Sequence, residues 1–241
     1  IDSPPILETV SRAMSSQVIG PGIVPHVRPM LPTMNGDYAH WLSTNVRKQK
    51  QAGYFFVTAT IPLGDFTSQQ MRILGDLATV FADGTIRITA EQDLVFRWVP
   101  ADAVPELYRQ LAAAGMGMPD AGTIADVTSC PGAESCKLAV TQSRGLGKFF
   151  SDHLRGHPEL VAAAPDLQIK ISGCPNGCGR HHIAGLGFQG SVRKVAGRAI
   201  PQYFVMVGGG PEGDAVRFGR LAAKIPARRM NLALERLLDL Y

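Results

Sequence analysis

The chain has 241 residues, of which 45% are hydrophobic and 18% are charged, as is typical of a folded globular protein. This composition excludes a wholly disordered chain, and no stretch approaches the roughly 18 apolar residues that a membrane-spanning helix needs. The formal net charge of +4 comes without a long run of Lys or Arg, which favours a small anionic ligand or an acidic partner over nucleic acid.

The first 50 residues are predicted to form a Pro-rich extended arm or linker. Six prolines between Pro4 and Pro32 remove backbone donors and restrict the residues before them, which disfavours regular structure. Short helices are compatible with Ile6–Met14 and Asp37–Gln51. The chain begins with Ile1 and lacks a basic and apolar leader, so we expect a cytoplasmic protein and a piece of a longer chain.

Residues 51–118 are predicted to form a compact α+β unit. Its first strand, Gly53–Ile61, is rich in aromatic and β-branched residues. Thr67 and Gln70 have the spacing of a capping box, which predicts a helix from there to about Ala82. The elements that follow are the strands Thr85–Thr89 and Asp93–Val99 and the helix Pro105–Ala114. The order β-α-β-β-α is that of a ferredoxin-like half-domain.

Residues 119–241 are predicted to form a second domain of mixed α/β structure. Apolar residues recur at helical spacing in 134–154 and alternate in 167–172. Pro226 suits the start of a closing helix. The other predicted elements are the helix Glu134–Leu154 and the strands Leu167–Ser172, Gly185–Val192 and Tyr203–Val207. The fold class is therefore α+β, with a ferredoxin-like half-domain followed by a mixed α/β domain.

Four cysteines form two closely spaced pairs in the second half of the chain. Cys130 and Cys136 have C-x5-C spacing, Cys174 and Cys178 have C-x3-C spacing, and 37 residues separate the pairs. Short paired spacings in a chain without an export signal indicate metal ligation before disulfides. Four thiolates serve either a structural Zn²⁺ ion or an iron–sulfur cluster.

The spacing of the cysteines favours the cluster over zinc. Zinc sites usually take cysteine pairs with about two to four residues between them, and C-x5-C lies outside that range. A cubane cluster is larger than one ion, so its cysteines approach from several directions. Gly173, Gly177 and Gly179 let the backbone turn sharply near a cofactor and leave N–H groups to point at sulfur. Zinc, disulfides and inert buried thiols are the alternatives.

Two stretches around the cysteines resemble a known signature. T-S-C-P-G-A-E-S-C-K-L-A at 128–139 and I-S-G-C-P-N-G-C-G-R at 171–180 are similar to the sirohaem and [4Fe–4S] signature of the nitrite/sulfite reductase haemoprotein family. Residues 53–114, with R-I-T-A-E-Q-D-L at 87–94, resemble the small ferredoxin-like half-domain of that family. Members carry two such modules in one chain and the cysteines in the second, so this chain resembles the C-terminal, cluster-bearing half.

The resemblance implies a [4Fe–4S] cluster and a sirohaem that share one cysteine thiolate. In the family this ligand is the last cysteine, which corresponds to Cys178, while Cys130, Cys136 and Cys174 hold only the cluster. The implied reaction is the six-electron reduction of nitrite to ammonia or of sulfite to sulfide, with electrons from ferredoxin or a flavoprotein. Side chains near the cysteines are candidates for binding sirohaem, whose carboxylates attract basic groups: Lys137, Arg144, Asn176 and Arg180.

Most of the anion-binding Arg and Lys residues of the family come from the first module, which this sequence lacks. No catalytic residue is therefore identified. Glu91 matches a second-module strand at a position where the first module carries Arg, which argues against Glu91 as an anion ligand. Three alternatives stay open: an electron-transfer or scaffold module with a cluster but no haem, an enzyme like precorrin-3B synthase, which shares the cysteine pattern, and a zinc-stabilised binding domain.

Overall fold

The computed structural model describes residues 36–212 and 215–240. The Pro-rich part of the arm, with the predicted helix Ile6–Met14, lies outside these residues. The described chain contains two main β-sheets with helices packed on them, which confirms the α+β class. No helix in the described ranges has the length and apolar character needed to cross a membrane.

The first sheet and its helices are formed by residues 36–113. The helices are α1 (Gly36–Asn45), α2 (Ser68–Phe81) and α3 (Val104–Ala113), and the strands are β1 (Val46–Lys48), β2 (Tyr54–Ala59), β3 (Ile86–Ile88) and β4 (Leu94–Pro100). The four strands are antiparallel and lie in the order β1-β2-β4-β3.

Helix α2 begins and packs as its sequence predicts. Gln70 N donates to Thr67 Oγ1 at 3.1 Å and Thr67 N donates to Gln70 Oε1 at 2.9 Å, so the capping box is confirmed. Leu74, Leu77 and Ala78 are buried against the sheet. One face of α2 therefore contributes to the first hydrophobic core.

Helix α1 belongs to the same core. Trp41 is fully buried and its ring centroid lies 4.7 Å from that of Tyr108 on α3. The helix predicted over Asp37–Gln51 ends at Asn45, because the next residues pair with β2 as strand β1. Asn45 itself is buried, and its Nδ2 donates to Thr58 O at 2.8 Å.

The second sheet and its helices are formed by residues 128–238. The helices are α4 (Ser143–Arg155), α5 (Pro158–Ala163) and α6 (Met230–Leu238), and the strands are β5 (Thr128–Ser129), β6 (Ile169–Ser172), β7 (Leu186–Val195), β8 (Arg198–Val207), β9 (Gly210–Glu212), β10 (Ala215–Arg217) and β11 (Arg220–Pro226). The sheet has the order β11-β8-β7-β6-β5, with β5, β6 and β7 parallel and the others antiparallel, while β9 and β10 pair as a separate hairpin.

The second core lies between this sheet and the helices α4 and α6. Phe150 of α4 and Leu234 of α6 are fully buried there. The predicted alternation in 167–172 is confirmed, because Ile169 and Ile171 are both fully buried in this core. Burial of these large apolar side chains stabilises the sheet by roughly 1.5–3 kcal/mol each.

The predicted helix Glu134–Leu154 is wrong in its first half. Residues 132–134 form one helical turn, residues 135–142 form a loop, and α4 begins only at Ser143. Val140 N and Thr141 N both donate to Gly173 O, at 2.9 and 3.3 Å. These bonds direct the backbone of the loop to a distant segment, so its N–H groups do not serve a helix.

The sequence does not predict β5, β9, β10 and β11. β5 has only two residues, which is too short for an alternating pattern. β11 contains Ala222, Ala223 and Lys224, which are residue types that strands disfavour. Pro226 is the last residue of β11 and stands before a short helical turn, and α6 follows at Met230.

Candidate metal centre

The first cysteine of each pair follows the carboxyl end of a strand. Cys130 comes directly after β5 and Cys174 comes two residues after β6. The two strands are parallel neighbours in which Ser129 pairs with Ile171, and Cys130 N donates to Ile171 O at 3.1 Å. The carboxyl ends of parallel strands meet at one edge of a sheet, where open α/β sheets usually bind their ligands. The two cysteine loops therefore start side by side.

Hydrogen bonds join the two cysteine loops. Gly173 N donates to Cys130 Sγ at 3.1 Å, and Val140 N donates to Gly173 O at 2.9 Å. Ser143 Oγ donates to Cys130 O at 2.9 Å and lies 3.2 Å from Cys130 Sγ. Gly173 thus provides the N–H group directed at sulfur that the sequence predicts for the glycines of this loop.

Two further glycines permit this close approach. Gly132 has φ +63°, and a Cβ atom there would lie 2.3 Å from Ser143 Oγ. A Cβ atom on Gly190 of β7 would lie 2.1 Å from Thr141 Oγ1 and 2.4 Å from Gly173 O. A side chain at Gly132 would clash with the start of α4, and a side chain at Gly190 would clash with residues of both cysteine loops. Sequence reasoning missed both glycines because the contacts involve residues distant along the chain.

The four thiols are free and differ in exposure. Cys130 and Cys174 are buried, Cys136 is half-buried and Cys178 is exposed. Within the described ranges, no three His, Cys, Asp or Glu side chains are close enough to hold one metal ion. A Zn²⁺ ion needs its sulfur ligands at about 2.3 Å from one point, whereas a cubane cluster binds each thiolate at a different iron. This finding applies to zinc and to a cluster alike, so the preference for a cluster rests on the spacing of the cysteines.

The residues present fit an iron–sulfur cluster. Thiolates are the ligands that such clusters take in proteins, and a backbone N–H directed at a ligand sulfur tunes their potential. Cys130 receives such a bond from Gly173. Cys178 is exposed, so its sulfur is accessible to a second cofactor on the outer side of the loop.

The side chains predicted beside sirohaem lie in two kinds of environment. Lys137 and Asn176 are exposed next to the cysteine loops. Arg144 forms ion pairs with Asp65 and Glu134, at 3.5 and 3.7 Å. Arg144 is therefore engaged by acidic side chains, while Lys137 and Asn176 face solvent. A role of any of these three toward sirohaem stays a prediction.

Arg180, the fourth candidate, is directed at the first domain. Its Nη2 donates to Ala90 O and to Glu91 Oε1, the latter at 3.2 Å. Its backbone has the left-handed conformation, with φ 59°, directly after the turn that carries Cys178. A non-glycine residue in this conformation requires support from its surroundings, and the contacts to Ala90 and Glu91 provide it.

His181 supports the Cys178 loop from its buried side. Its side chain is fully buried, its Nδ1 lies 2.8 Å from Ser172 Oγ and its Nε2 lies 3.3 Å from Gln189 Oε1. Ser172 Oγ also accepts from Gly179 N at 3.0 Å. Burial and the neighbouring His182 lower the pKa of His181 to about 4, so the ring is neutral at pH 7. The sequence shows the His181-His182 pair but not this supporting role.

A buried charge cluster connects the first domain to the cysteine loops. Lys170 of β6 has a side chain that is 3% exposed, and its Nζ lies 3.4 Å from Glu91 Oε1. Burial and the charge of Arg180 lower the pKa of Lys170. Burial acts to raise the pKa of Glu91, but the charge of Lys170 and the hydrogen bond from Arg180 hold it below its usual value. Glu91 is thus an ionised carboxylate between two basic groups.

An acidic pair, Asp93 and Asp126, lies beside a crevice of about 250 Å³ between the two domains. Asp93 Oδ1 accepts from Ile61 N and Asp126 Oδ2 accepts from Gly122 N, both at 2.8 Å. Burial, followed by the charge and hydrogen bond of Asp126, raises the pKa of Asp93 to about 9. Burial also raises the pKa of Asp126. Asp93 therefore keeps a proton at neutral pH and shares it with Asp126.

The variant Asp93→Asn is expected to be more stable than the unmodified chain at alkaline pH. In the unfolded chain Asp93 loses its proton near pH 4, whereas in the folded chain it keeps it up to about pH 9. The free energy of unfolding should therefore fall as pH rises between these values, by at most about 1.4 kcal/mol per pH unit. An amide at position 93 donates to Asp126 without a proton to lose, so this fall should be smaller in the variant.

Urea denaturation over this pH range measures the effect. The control is Asp76→Asn, since Asp76 is exposed on α2. An equal pH dependence of stability in the unmodified chain and in Asp93→Asn would contradict the shared proton.

Two family models match this chain in adjacent segments. The model described as "Nitrite/Sulfite reductase ferredoxin-like half domain" matches residues 47–114. The model described as "Nitrite and sulphite reductase 4Fe-4S domain" matches residues 120–241. The first segment contains α2, α3 and the four strands of the first sheet from Arg47 onward, and the second contains both cysteine pairs. The predicted resemblance is therefore confirmed in both segments.

Curated relatives carry names of the same kind. A ferredoxin–nitrite reductase of Synechococcus elongatus is 28% identical over 164 residues, which cover 68% of this chain and 31% of the relative. The sulfite reductase [NADPH] haemoprotein beta-component of Methylobacterium sp. is 28% identical over 214 residues, which cover 83% of this chain and 33% of the relative. This chain thus spans about a third of the length of these relatives.

A solved structure has the same fold. The NirA protein of Mycobacterium tuberculosis superposes with a TM-score of 0.70 at 24% identity, covering 82% of this chain and 37% of NirA. The nitrite and sulfite reductases of this family carry sirohaem and a [4Fe–4S] cluster, so the predicted cofactor pair is confirmed at the level of the family. Because the 4Fe–4S domain model alone matches just over half of its residues, the chain belongs to the nitrite/sulfite reductase family.

Proposed function

We propose that this chain is the cluster-bearing part of a reductase that converts nitrite to ammonia or sulfite to sulfide. The observation that carries the proposal is the pairing of two cysteine loops at the ends of adjacent parallel strands, joined by the bond from Gly173 N to Cys130 Sγ. Cys130, Cys136, Cys174 and Cys178 would hold a [4Fe–4S] cluster, and Cys178 would also ligate sirohaem.

The exposure of the thiols supports this division of roles. Cys130 and Cys174 are buried and are suited to bind the cluster alone, while Cys178 is exposed and is suited to a shared position. When bound, the two cofactors supply single electrons and an open position at iron for the anion. Lys137 and Asn176 are exposed beside the loops, which supports a role for both in binding carboxylates of the sirohaem.

The names of the relatives support two pairings of substrate and electron donor. Several are named ferredoxin–nitrite reductase, which supports nitrite as the substrate and ferredoxin as the donor. The relative named as an NADPH sulfite reductase component supports sulfite and a flavoprotein as the second pairing. The proposed partners therefore include a first module of the same enzyme, because the chain covers about a third of these relatives. A cytoplasmic location and the division at residues 51–118 and 119–241 are parts of the same proposal.

Anaerobic reconstitution with ferrous iron, sulfide and sirohaem tests the proposal. The chain is expected to bind about four irons and four sulfides and to show the coupled visible spectrum of both cofactors. A cluster without any sirohaem band would instead support the electron-carrier alternative. A colourless protein that binds one zinc would overturn the proposal in favour of a zinc-stabilised domain.

Turnover by the isolated chain is expected to be poor. The family's anion-binding residues belong mostly to the first module, so the substrate would be weakly held. With reduced methyl viologen as the donor, the rate of nitrite or sulfite reduction should be far below the range of about 1–10³ s⁻¹ that is usual for enzymes. A rate within that range would show that the chain alone contains a complete anion site.

A further inference from the structure

The turn between β3 and β4, residues Ala90–Asp93, contacts the loops of both cysteine pairs. Gln92 Oε1 accepts from Ser129 N at 3.1 Å. Ser129 is fully buried and directly precedes Cys130. This bond satisfies a backbone N–H at the end of β5, the strand that leads into the first cysteine loop.

The same turn binds the residue that follows the second cysteine pair. Ala90 O and Glu91 Oε1 both accept from Arg180, which comes two residues after Cys178. Glu91 also pairs with the buried Lys170, four residues before Cys174. One carboxylate from the first domain thus connects the strand before the second cysteine pair with the residue after it.

The turn is itself held by several bonds. Thr89 N donates to Asp93 O at 2.9 Å, Gln92 N donates to Thr89 O at 3.2 Å, and Asp93 N donates to Thr89 Oγ1 at 3.1 Å. Gln92 has φ 78°, a backbone conformation that residues other than glycine rarely adopt. Such a conformation must be fixed by contacts like these. The side chains of Glu91 and Gln92 therefore extend from a rigid base.

We infer that this turn positions the cluster ligands, with Gln92 fixing the Cys130 loop and Glu91 fixing the Cys178 loop. Glu91 and Gln92 are positioning residues, because their side chains contact Ser129, Lys170 and Arg180 beside the cysteines and not a cysteine sulfur. The inference rests on the proposed function, because the cysteines need to be positioned only if they bind a cluster. The contacts themselves are present in the protein without cofactors. The first domain then acts as a support for the metal centre of the second domain.

The proposed role of Gln92 is tested on the protein without cofactors. Gln92→Met keeps the size of the side chain and removes the acceptor for Ser129 N, while Gln92→Glu keeps an acceptor oxygen. The rate at which iodoacetamide alkylates each cysteine is measured by mass spectrometry. Gln92→Met is expected to raise the rate at the buried Cys130 about tenfold relative to Cys174, and Gln92→Glu should restore the original ratio. An unchanged ratio in Gln92→Met, or no restoration by Gln92→Glu, would overturn the role of Gln92.

The proposed role of Glu91 is tested with the variant Glu91→Gln. Asp76→Asn is the control for the loss of one negative charge. Hydrogen–deuterium exchange of the peptide 175–182 should become faster in Glu91→Gln and not in Asp76→Asn, because the Glu91 carboxylate accepts from Arg180 and Asp76 makes no such contact. Equal exchange in the two variants would overturn the role of Glu91, and this readout remains available if a Gln92 variant does not fold.

A third readout concerns the cluster. In the reconstituted chain, Glu91→Gln leaves Lys170 and Arg180 without their anion, so the midpoint potential should rise by more than in Asp76→Asn. Equal midpoint potentials in the two variants would count against an electrostatic effect of Glu91 on the cluster. If the unmodified chain itself takes up no cluster, the proposed function fails, while the alkylation and exchange measurements still decide whether the turn positions the loops.

Discussion

The variant Cys178→Ser is expected to lose the electronic coupling between the cluster and sirohaem and to abolish the six-electron reduction in the complete reductase. Cys130→Ser is expected to make the cluster labile without removing the thiolate that the two cofactors share. A serine oxygen is a harder and weaker ligand for cluster iron than a thiolate. The exposed Cys178 is proposed to be the shared ligand, whereas the buried Cys130 is proposed to be a terminal one.

Electron paramagnetic resonance and optical spectra of both variants, after reconstitution with iron, sulfide and sirohaem, distinguish the two roles. A Cys178→Ser variant that keeps the coupled spectrum, beside a Cys130→Ser variant that loses it with an intact cluster, would show that the shared ligand is wrongly assigned. Asp76→Asn, a substitution on the exposed face of α2, is the control and should keep the coupled spectrum.

The variant Gly190→Ala is expected to destabilise the second domain by about 1–3 kcal/mol or more. The new methyl group would lie 2.4 Å from Gly173 O and 2.1 Å from Thr141 Oγ1. Gly173 O is a backbone atom that also accepts from Val140 N, so the methyl group would clash at the point where the two cysteine loops are hydrogen-bonded. We therefore expect lower stability together with weaker uptake of iron and sulfide.

Chemical denaturation and iron analysis measure both effects. The control is Gly75→Ala on the exposed side of α2, where an added Cβ meets nothing within 4 Å. That change should stabilise the chain by about 0.5–1 kcal/mol, because alanine is the better helix former. Equal stabilities of Gly190→Ala and Gly75→Ala would show that the loops tolerate a wider separation.

Local patterns in the sequence predict those parts of the fold that depend on neighbouring residues. The capping box at Thr67 and the buried face of α2 are confirmed, because both arise from residues within one or two helical turns. The loop 135–142 carries Leu138, one of the apolar residues on which the predicted helix rested, yet its backbone bonds to Gly173, more than thirty residues away. A pattern within a short window carries no information about such a bond.

The sequence predicts the candidate ligands of the site but not the residues that support them. The spacing of the cysteines indicates a cluster, because the type of ligand and the local turns can be identified from the residues near each cysteine. The supports of the site were not predictable, because Glu91 and Gln92 reach it from the turn between β3 and β4 and Gly190 reaches it from β7. Their roles depend on how the two domains pack, which no single segment specifies.

The parallel pairing of β5 and β6 has a consequence for the order of assembly. Cys130 is fixed next to the second cysteine loop only when Ser129 pairs with Ile171 and Cys130 N bonds to Ile171 O. Parallel neighbours cannot form a local hairpin, so this contact closes a long loop, and such closures are slow steps of folding. A ribosome-bound chain that has not yet exposed β6 therefore lacks the ligand set. The two cysteine loops therefore come together only after β6 has paired with β5.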